Sequence, residues 1–264
     1  MGLICKLFLI VIASFSVISC CTLKTSVSTE FKDYNSMLEM ARQSFVTITS
    51  RVTQKYCFGP EKETPTCSPE RKGTRQGSGV IIAHDNKKDT TIILTVAHVC
   101  KYELKTPMRI GWIESVEDSK MVTTIDGKKY QFNVIQPIDT KLDICIIETK
   151  RIDKRPVSIV WKNLKYGEKI FGISNAGGLA TDKVVPVEEG RYYGTKLGLN
   201  FYTLFSSPGS SGGPIINTSG QLVGLISHIY LSARNISVGP SNKSIMNFLK
   251  TNLKNRASLI LSIQ

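Results

Sequence analysis

The sequence predicts an all-β fold of the sandwich or barrel type. Short runs rich in Val, Ile, Thr and Tyr recur along its 264 residues, and Gly, Pro, Asn and Asp punctuate them at close intervals. Helical periodicity is confined to the two edges of the chain. A hydrophobic content of 41% over this length suffices for one substantial core or two small barrels.

From the amino terminus, residues 1–20 read as a targeting segment. Lys6 supplies a short positive region, residues 7–18 form an apolar run too short to span a bilayer comfortably, and Val17-Ile18-Ser19-Cys20 sets small and aliphatic residues before a cysteine. That arrangement resembles a bacterial lipobox, with Cys20 as the lipidated first residue of the mature chain. Ordinary cleavage near Ser19 and an uncleaved anchor are the alternatives. Residues 21–38 serve as a linker and the start of a helix over 30–44, where Phe31, Tyr34, Met37, Leu38 and Ala41 follow helical spacing. Strands are then expected at 45–52, 79–83, 90–95, 108–113, 121–125, 130–135 and 143–149, and, after a linker near 150–164, at 169–173, 183–187, 201–205, 213–216 and 222–227. A closing helix over 241–254 carries Ile245, Met246, Phe248, Leu249 and Leu253 on one side, with Ser241 as its N-cap and Pro240 at the boundary.

Three local patterns carry chemistry. Ser207-Pro208-Gly209-Ser210-Ser211-Gly212-Gly213-Pro214 places one serine on a glycine-flanked turn between apolar strands, where backbone N–H groups can converge on an oxyanion, so Ser211 is the candidate nucleophile. Ile92-Ile93-Leu94-Thr95-Val96-Ala97-His98 ends a β-branched strand in a histidine suited to take a proton near neutral pH. Leu142-Asp143-Ile144-Cys145 sets a carboxylate at the mouth of a further apolar strand, where it can orient an imidazole. The Ser-His-Asp triad on the chymotrypsin barrel is a known template, and His98, Asp143 and Ser211 follow its order.

Through Thr95 to His98, Leu142 to Ile147 and Gly209 to Pro214 the chain resembles the chymotrypsin-fold serine proteases, most closely the HtrA-like branch. Gln76 to Ile82 and Ile236 to Asn242 match in kind, and the likeness runs from about Gln43 to Leu253. It implies a trypsin-like domain over 39–264, made of two six-stranded antiparallel barrels at 43–150 and 165–240. The first would supply His98 and Asp143 and the second Ser211, with the N–H groups of Gly209 and Ser211 as oxyanion donors. It also implies Phe205 near the base of the primary pocket, Ile229 on its wall, and Ser227 and His228 on the strand that pairs with the substrate backbone. The branch usually carries a PDZ domain after the protease, and the residues following Pro240 are too few for one.

Of the seven cysteines, Cys5, Cys20 and Cys21 lie in or beside the targeting region. The four remaining allow three pairings. Cys57 with Cys67 would close a short loop rich in Pro and charge; Cys100 and Cys145, each two residues past a triad member, form either a second bridge or two buried thiols. The absence of any Cys-x-x-Cys pair argues against a structural zinc site. Neither a metal nor a cofactor is required by the triad.

The net charge is +13, and no Asp or Glu follows Glu189. A face of that kind attracts anionic surfaces, but no nucleic-acid motif accompanies it. Where an acid-free pocket would leave a substrate lysine or arginine unpaired, cleavage after small or medium aliphatic residues is expected. The expected protein is thus an exported, envelope-associated serine endopeptidase acting on polypeptides. A silent protease-like binding protein and a basic envelope structural protein are the alternatives. Sequence does not indicate an oligomeric state.

Overall fold

The structure, a computed structural model, describes residues 27–59, 66–101, 105–108, 111–159, 163–230 and 235–254. Residues 1–20, expected to be a targeting segment, lie outside them, and so does Cys20. Two compact units divide the chain, Met1–Leu38 and Glu39–Gln264. Helix α1 covers Val27–Ser44, close to the helix expected from spacing.

Within the larger unit the first half contains β1 (Phe45–Phe58), β2 (Thr66–Cys67), β3 (Arg71–Asp85), β4 (Thr90–Thr95), the one-turn helix α2 (Ala97–Cys100), β5 (Lys105–Met108), β6 (Gly111–Thr124), β7 (Lys129–Asp139) and β8 (Ile144–Lys150). Six strands run in the antiparallel order β1-β3-β4-β8-β7-β6, and β6 pairs back onto β1 from Val46 opposite Thr124 to Phe58 opposite Gly111. The sheet is therefore a closed barrel without free edges in its body. Val46, Ile48, Ile81, Ile93, Val122, Phe132, Cys145 and Ile147 fill it. Alternation along a pleated strand turns one face of each strand inward. Strands β2 and β5 add on outside β1 and β6.

The second half contains β9 (Lys169–Ile173), a 3-10 turn (Ala176–Gly178), β10 (Val187–Lys196), β11 (Leu199–Tyr202), β12 (Pro214–Asn217), β13 (Leu222–Leu225), β14 (His228–Ile229), β15 (Ser237–Pro240) and helix α3 (Asn242–Asn252). Its sheet order is β13-β12-β9-β10-β11-β15-β14, six strands and a two-residue extension. The sheet curls until the end of β13 meets β15. There the Ser227 N–H donates to the Val238 carbonyl at 3.0 Å, and a Cβ on Gly239 would stand 1.7 Å from the Leu225 carbonyl oxygen. Ile170, Leu204, Ile215, Val223 and Ile226 pack inside with Tyr192 and Tyr202. Burial pushes the Tyr202 phenol up, and its hydroxyl accepts from the Asn200 amide at 2.9 Å.

Helix α3 begins as its sequence demands, Ser241 Oγ accepting from the Ser244 N–H at 3.2 Å. It buries Ile245, Met246, Phe248 and Leu249 and touches β13 of the second barrel and β7 of the first.

Several strands depart from expectation for identifiable reasons. β1 continues to Phe58 and β3 starts at Arg71, because the two pair outside the barrel, from Ser50 opposite Arg75 to Gln54 opposite Arg71. There residues 71–76 are all exposed, so no alternation marks the strand. The strand expected at 183–187 is a turn, in which Thr181 Oγ1 accepts from the Val184 N–H at 3.1 Å. The pairing segment is β10, whose side chains are mostly exposed and whose apolar signal is correspondingly weak.

Candidate active site

β4 delivers His98 to the mouth of the first barrel. The strand ends at Thr95 and the chain turns into α2, leaving the His98 side chain 44% exposed. Asp143 reaches the same place from the β7–β8 turn. Asp139 Oδ1 accepts from the N–H groups of Lys141 and Leu142 at 3.0 and 2.8 Å, fixing the turn. Asp143 itself sits at φ 56°, a left-handed conformation that aspartate tolerates better than most residues. Its carboxylate then spans His98: Oδ2 accepts from His98 Nδ1 at 2.8 Å and Oδ1 from the His98 backbone N–H at 3.0 Å. This two-point grip fixes both the imidazole tautomer and the backbone that carries it. The Ser227 hydroxyl also donates to Asp143 Oδ2. Burial, the largest single influence, pushes the Asp143 carboxyl up; the hydrogen bonds from His98 and Ser227 and the charge of His98 together outweigh it and hold the group below its ordinary value. Cys100 and Cys145 are disulfide-bonded with Cα atoms 6.4 Å apart, tying α2 to β8 directly behind the pair. Cys57 is bonded to Cys67 across the β1–β2 ladder.

The nucleophile loop lies between β11 and β12. Gly209 at φ 96° cannot carry a side chain, since a Cβ there would stand 2.2 Å from the Asn175 carbonyl oxygen. Gly212, at φ 84°, would drive one to 2.1 Å from the Ser78 carbonyl oxygen. Turn bonds from Ser210 N–H to Ser207 O and from Gly213 N–H to Ser210 O, both 2.9 Å, hold the loop. The Pro208 carbonyl is engaged by the Gly177 N–H at 2.9 Å. Among the described residues no partner takes the N–H of Gly209 or of Ser211, so both remain available to a developing oxyanion.

One buried serine clamps this loop to the first barrel. Ser78 donates from its hydroxyl to the Gly209 carbonyl at 2.8 Å and from its N–H to the Ser211 carbonyl at 2.7 Å. Its hydroxyl accepts from the Asn175 N–H at 2.9 Å, and its carbonyl accepts from Thr95 Oγ1 at 2.7 Å. Ser78 was not legible in the sequence as a site residue; its signal is a small polar residue between two glycines, just ahead of the apolar run Val80 to Ala83.

A cleft of about 560 Å³ joins these parts, lined by His98, Val99, Gly77, Gly177, Gly209 and Ser211 among others. The structure thus gathers His98, Asp143, Ser211 and Gly209 in one place. The Ser211 hydroxyl donates to the Ser227 carbonyl at 3.4 Å, so its contact with His98 requires rotation of the hydroxymethyl group. Ser227 and His228 stand beside Asp143, the former buried and the latter with its side chain 65% exposed. Strand β14 pairs with β15 on one side and ends the sheet on the other. Phe205 is 55% exposed and Ile229 36%, and neither lines the cleft that holds His98 and Ser211.

Two antiparallel β-barrels with a histidine, a carboxylate and a serine meeting at their junction define the architecture of the chymotrypsin-like serine proteases. The chain belongs to the trypsin-like peptidase domain family, whose pattern it matches over residues 77–225. It is 27% identical over 195 residues to the putative serine protease HhoB of Synechocystis, covering 68% of this chain and 40% of that protein. Against the serine protease HTRA1 of Xenopus laevis it is 31% identical over 164 residues, covering 56% of this chain and 30% of that one. The chain therefore spans less than half the length of these relatives. In fold it is similar to the active form of the Rv3671c protease from M. tuberculosis, with a TM-score of 0.58 at 16% identity over 83% of this chain and 84% of the other.

Proposed function

We propose that the chain is an exported serine endopeptidase that hydrolyses polypeptides. One observation carries the reading: His98, hydrogen-bonded through Nδ1 to Asp143 at 2.8 Å, lines the same cleft as Ser211 and Gly209. In this reading His98 takes the Ser211 proton as the hydroxyl attacks the scissile carbonyl. Asp143 holds the imidazole and stabilises its charged form, and the N–H groups of Gly209 and Ser211 receive the oxyanion. Among the described residues no strand pairs with the outer edge of β14, which offers a ladder to an extended substrate. With no carboxylate after Glu189, cleavage follows small or medium aliphatic residues and is poor after Lys or Arg. Preference among aliphatic residues is shallow, because one methylene discriminates by only about 1–3 kcal/mol. Export, lipidation at Cys20 and attraction of the basic carboxy-terminal half to an anionic envelope surface complete the proposal.

A second reading, a catalytically silent protease-like binding protein, has in its favour the Ser211 hydroxyl bonded to the Ser227 carbonyl. Fluorophosphonate labelling and a peptide library decide between the two. The proposal expects Ser211 to be labelled, and Ser211→Ala to lose all cleavage while keeping the fold. Full cleavage by Ser211→Ala, or loss of cleavage in Ser210→Ala instead, overturns the assignment.

A further inference from the structure

We propose that the site binds a zinc-class divalent transition-metal ion between His98 and His228, with Asp143 as third ligand, and that the bound ion switches hydrolysis off. The inhibitory part rests on the function proposed above; the binding part does not.

One ligand atom from each of His98, Asp143 and His228 lies within 4.8 Å of the other two. The imidazole rings are 5.4 Å apart between centroids and tilted by 45°, and His228 Nδ1 stands 3.8 Å from Asp143 Oδ2. In a tetrahedral site with bonds of about 2.1 Å, ligand atoms are about 3.4 Å apart, so His228 must approach the other two groups by at most about 1.4 Å while the His98–Asp143 pair, at 2.8 Å, opens slightly. The exposed ring of His228 can supply that movement: its side chain is 65% exposed, against 10% for Asp143. Its Nδ1 contact with the Ser227 hydroxyl is the bond given up.

Two imidazoles and a carboxylate suit zinc and neighbouring transition metals, whereas magnesium and calcium prefer oxygen-only shells. Three protein ligands leave a fourth position for water. The competing histidine is absent: the chain has three in all, and both ring nitrogens of His84 are occupied, by Thr91 at 3.1 Å and by the Lys154 carbonyl at 2.8 Å. Metallation of His98 takes an imidazole nitrogen and the Asp143 carboxylate out of the relay. The ring can then no longer accept the Ser211 proton, and Asp143 can no longer stabilise the charged imidazole.

The test uses the full chain. Zinc chloride is titrated into the Ser211→Ala protein by calorimetry, with magnesium chloride as the parallel probe, and the titration is repeated in Ser211→Ala with His228→Gln. The proposal expects zinc but not magnesium to bind, and His228→Gln to weaken zinc by at least about tenfold. Zinc binding unchanged by His228→Gln, or no binding, overturns it. In the Ser211 protein, zinc should suppress peptide cleavage and a chelator should restore it. Each variant is compared with its own metal-free rate, and His228→Gln should need at least about tenfold more zinc for half-suppression. Cleavage unaffected by bound zinc overturns the inhibitory role. Zinc binding lost with His228→Gln in a protein that cleaves nothing upholds the site and sinks the proteolytic reading alone.

Discussion

Replacing Gly209 by alanine should lower kcat by about a hundredfold to a thousandfold while leaving the protein folded. The size follows from the loop geometry. At φ 96° an added Cβ meets the Asn175 carbonyl oxygen at 2.2 Å, and relieving that overlap needs a shift of about 1 Å on top of a left-handed backbone that costs an L residue about 1–2 kcal/mol. Oxyanion donors work within about 2.7–3.1 Å of their target, so a shift of that size removes the Gly209 N–H from use; loss of one such donor costs about 2.7–4 kcal/mol of transition-state stabilisation. Ser78 accentuates the effect, because its hydroxyl holds the Gly209 carbonyl at 2.8 Å and links any movement to the first barrel. The assay is steady-state cleavage of an aliphatic peptide substrate, with urea unfolding alongside. Gly127→Ala is the control, since Gly127 has φ 79° and nothing within 4 Å of an added Cβ. It shares the backbone strain without the collision and should keep its kcat. A Gly209→Ala protein that retains more than about a tenth of the parent kcat would refute the oxyanion assignment.

Ser227→Ala removes a hydroxyl that donates to the Asp143 carboxylate, a charge-assisted bond worth about 1.5–3 kcal/mol; kcat should fall by about tenfold with little change in KM, and an unchanged kcat would show that His98 alone orients the acid. The two disulfides should differ in weight. Chain-entropy arithmetic gives about 3 kcal/mol for the Cys57–Cys67 pair, 10 residues apart, and about 4 kcal/mol for Cys100–Cys145, 45 residues apart; paired Cys→Ser variants in urea would contradict this if the shorter loop mattered more. His84 links stability to acidity. Burial, its largest influence, lowers its basicity below the ordinary value of 6.5 despite the bond to the Lys154 carbonyl, so the unfolded chain takes up the proton first. Its contribution is intact above about pH 6.5 and fades as the pH falls below it. His84→Gln should flatten the stability profile between about pH 7 and pH 5, and an unflattened profile would mean that other groups set the slope.

The three motif residues were legible because each stands on a local signal, a strand end or a glycine turn, and the short Cys57–Cys67 loop closes between neighbouring segments. Helix α3 was equally readable from Ser241 and its apolar stripe. What was hidden depends on distance along the chain. Ser78 acts on Gly209 and Ser211 from another barrel, and the donation of Ser227 to Asp143 joins segments that no spacing relates. Sequence left the state of Cys100 and Cys145 open for the same reason: a bridge depends on where the mouth of the first barrel places two Cβ atoms from segments far apart in the chain. The outer half of β3 escaped notice because its residues 71–76 are all exposed, and that of β1 because residues 53–56 are uniformly half-buried, so neither shows alternation. Phe205 and Ile229 came from resemblance alone, and their exposure gives the pocket no side-chain floor legible in composition.

The clamp by Ser78 also bears on the order in which the chain comes into being. Emerging from the ribosome, the first barrel carries His98 and Asp143 but no nucleophile. Ser211 follows more than sixty residues behind Asp143 in the sequence, and its loop takes its bonds from Ser78 only when the second barrel docks. A chain that stops short of the second barrel therefore holds no assembled site. Under the proposed function, hydrolysis begins only once the second barrel has docked on the first.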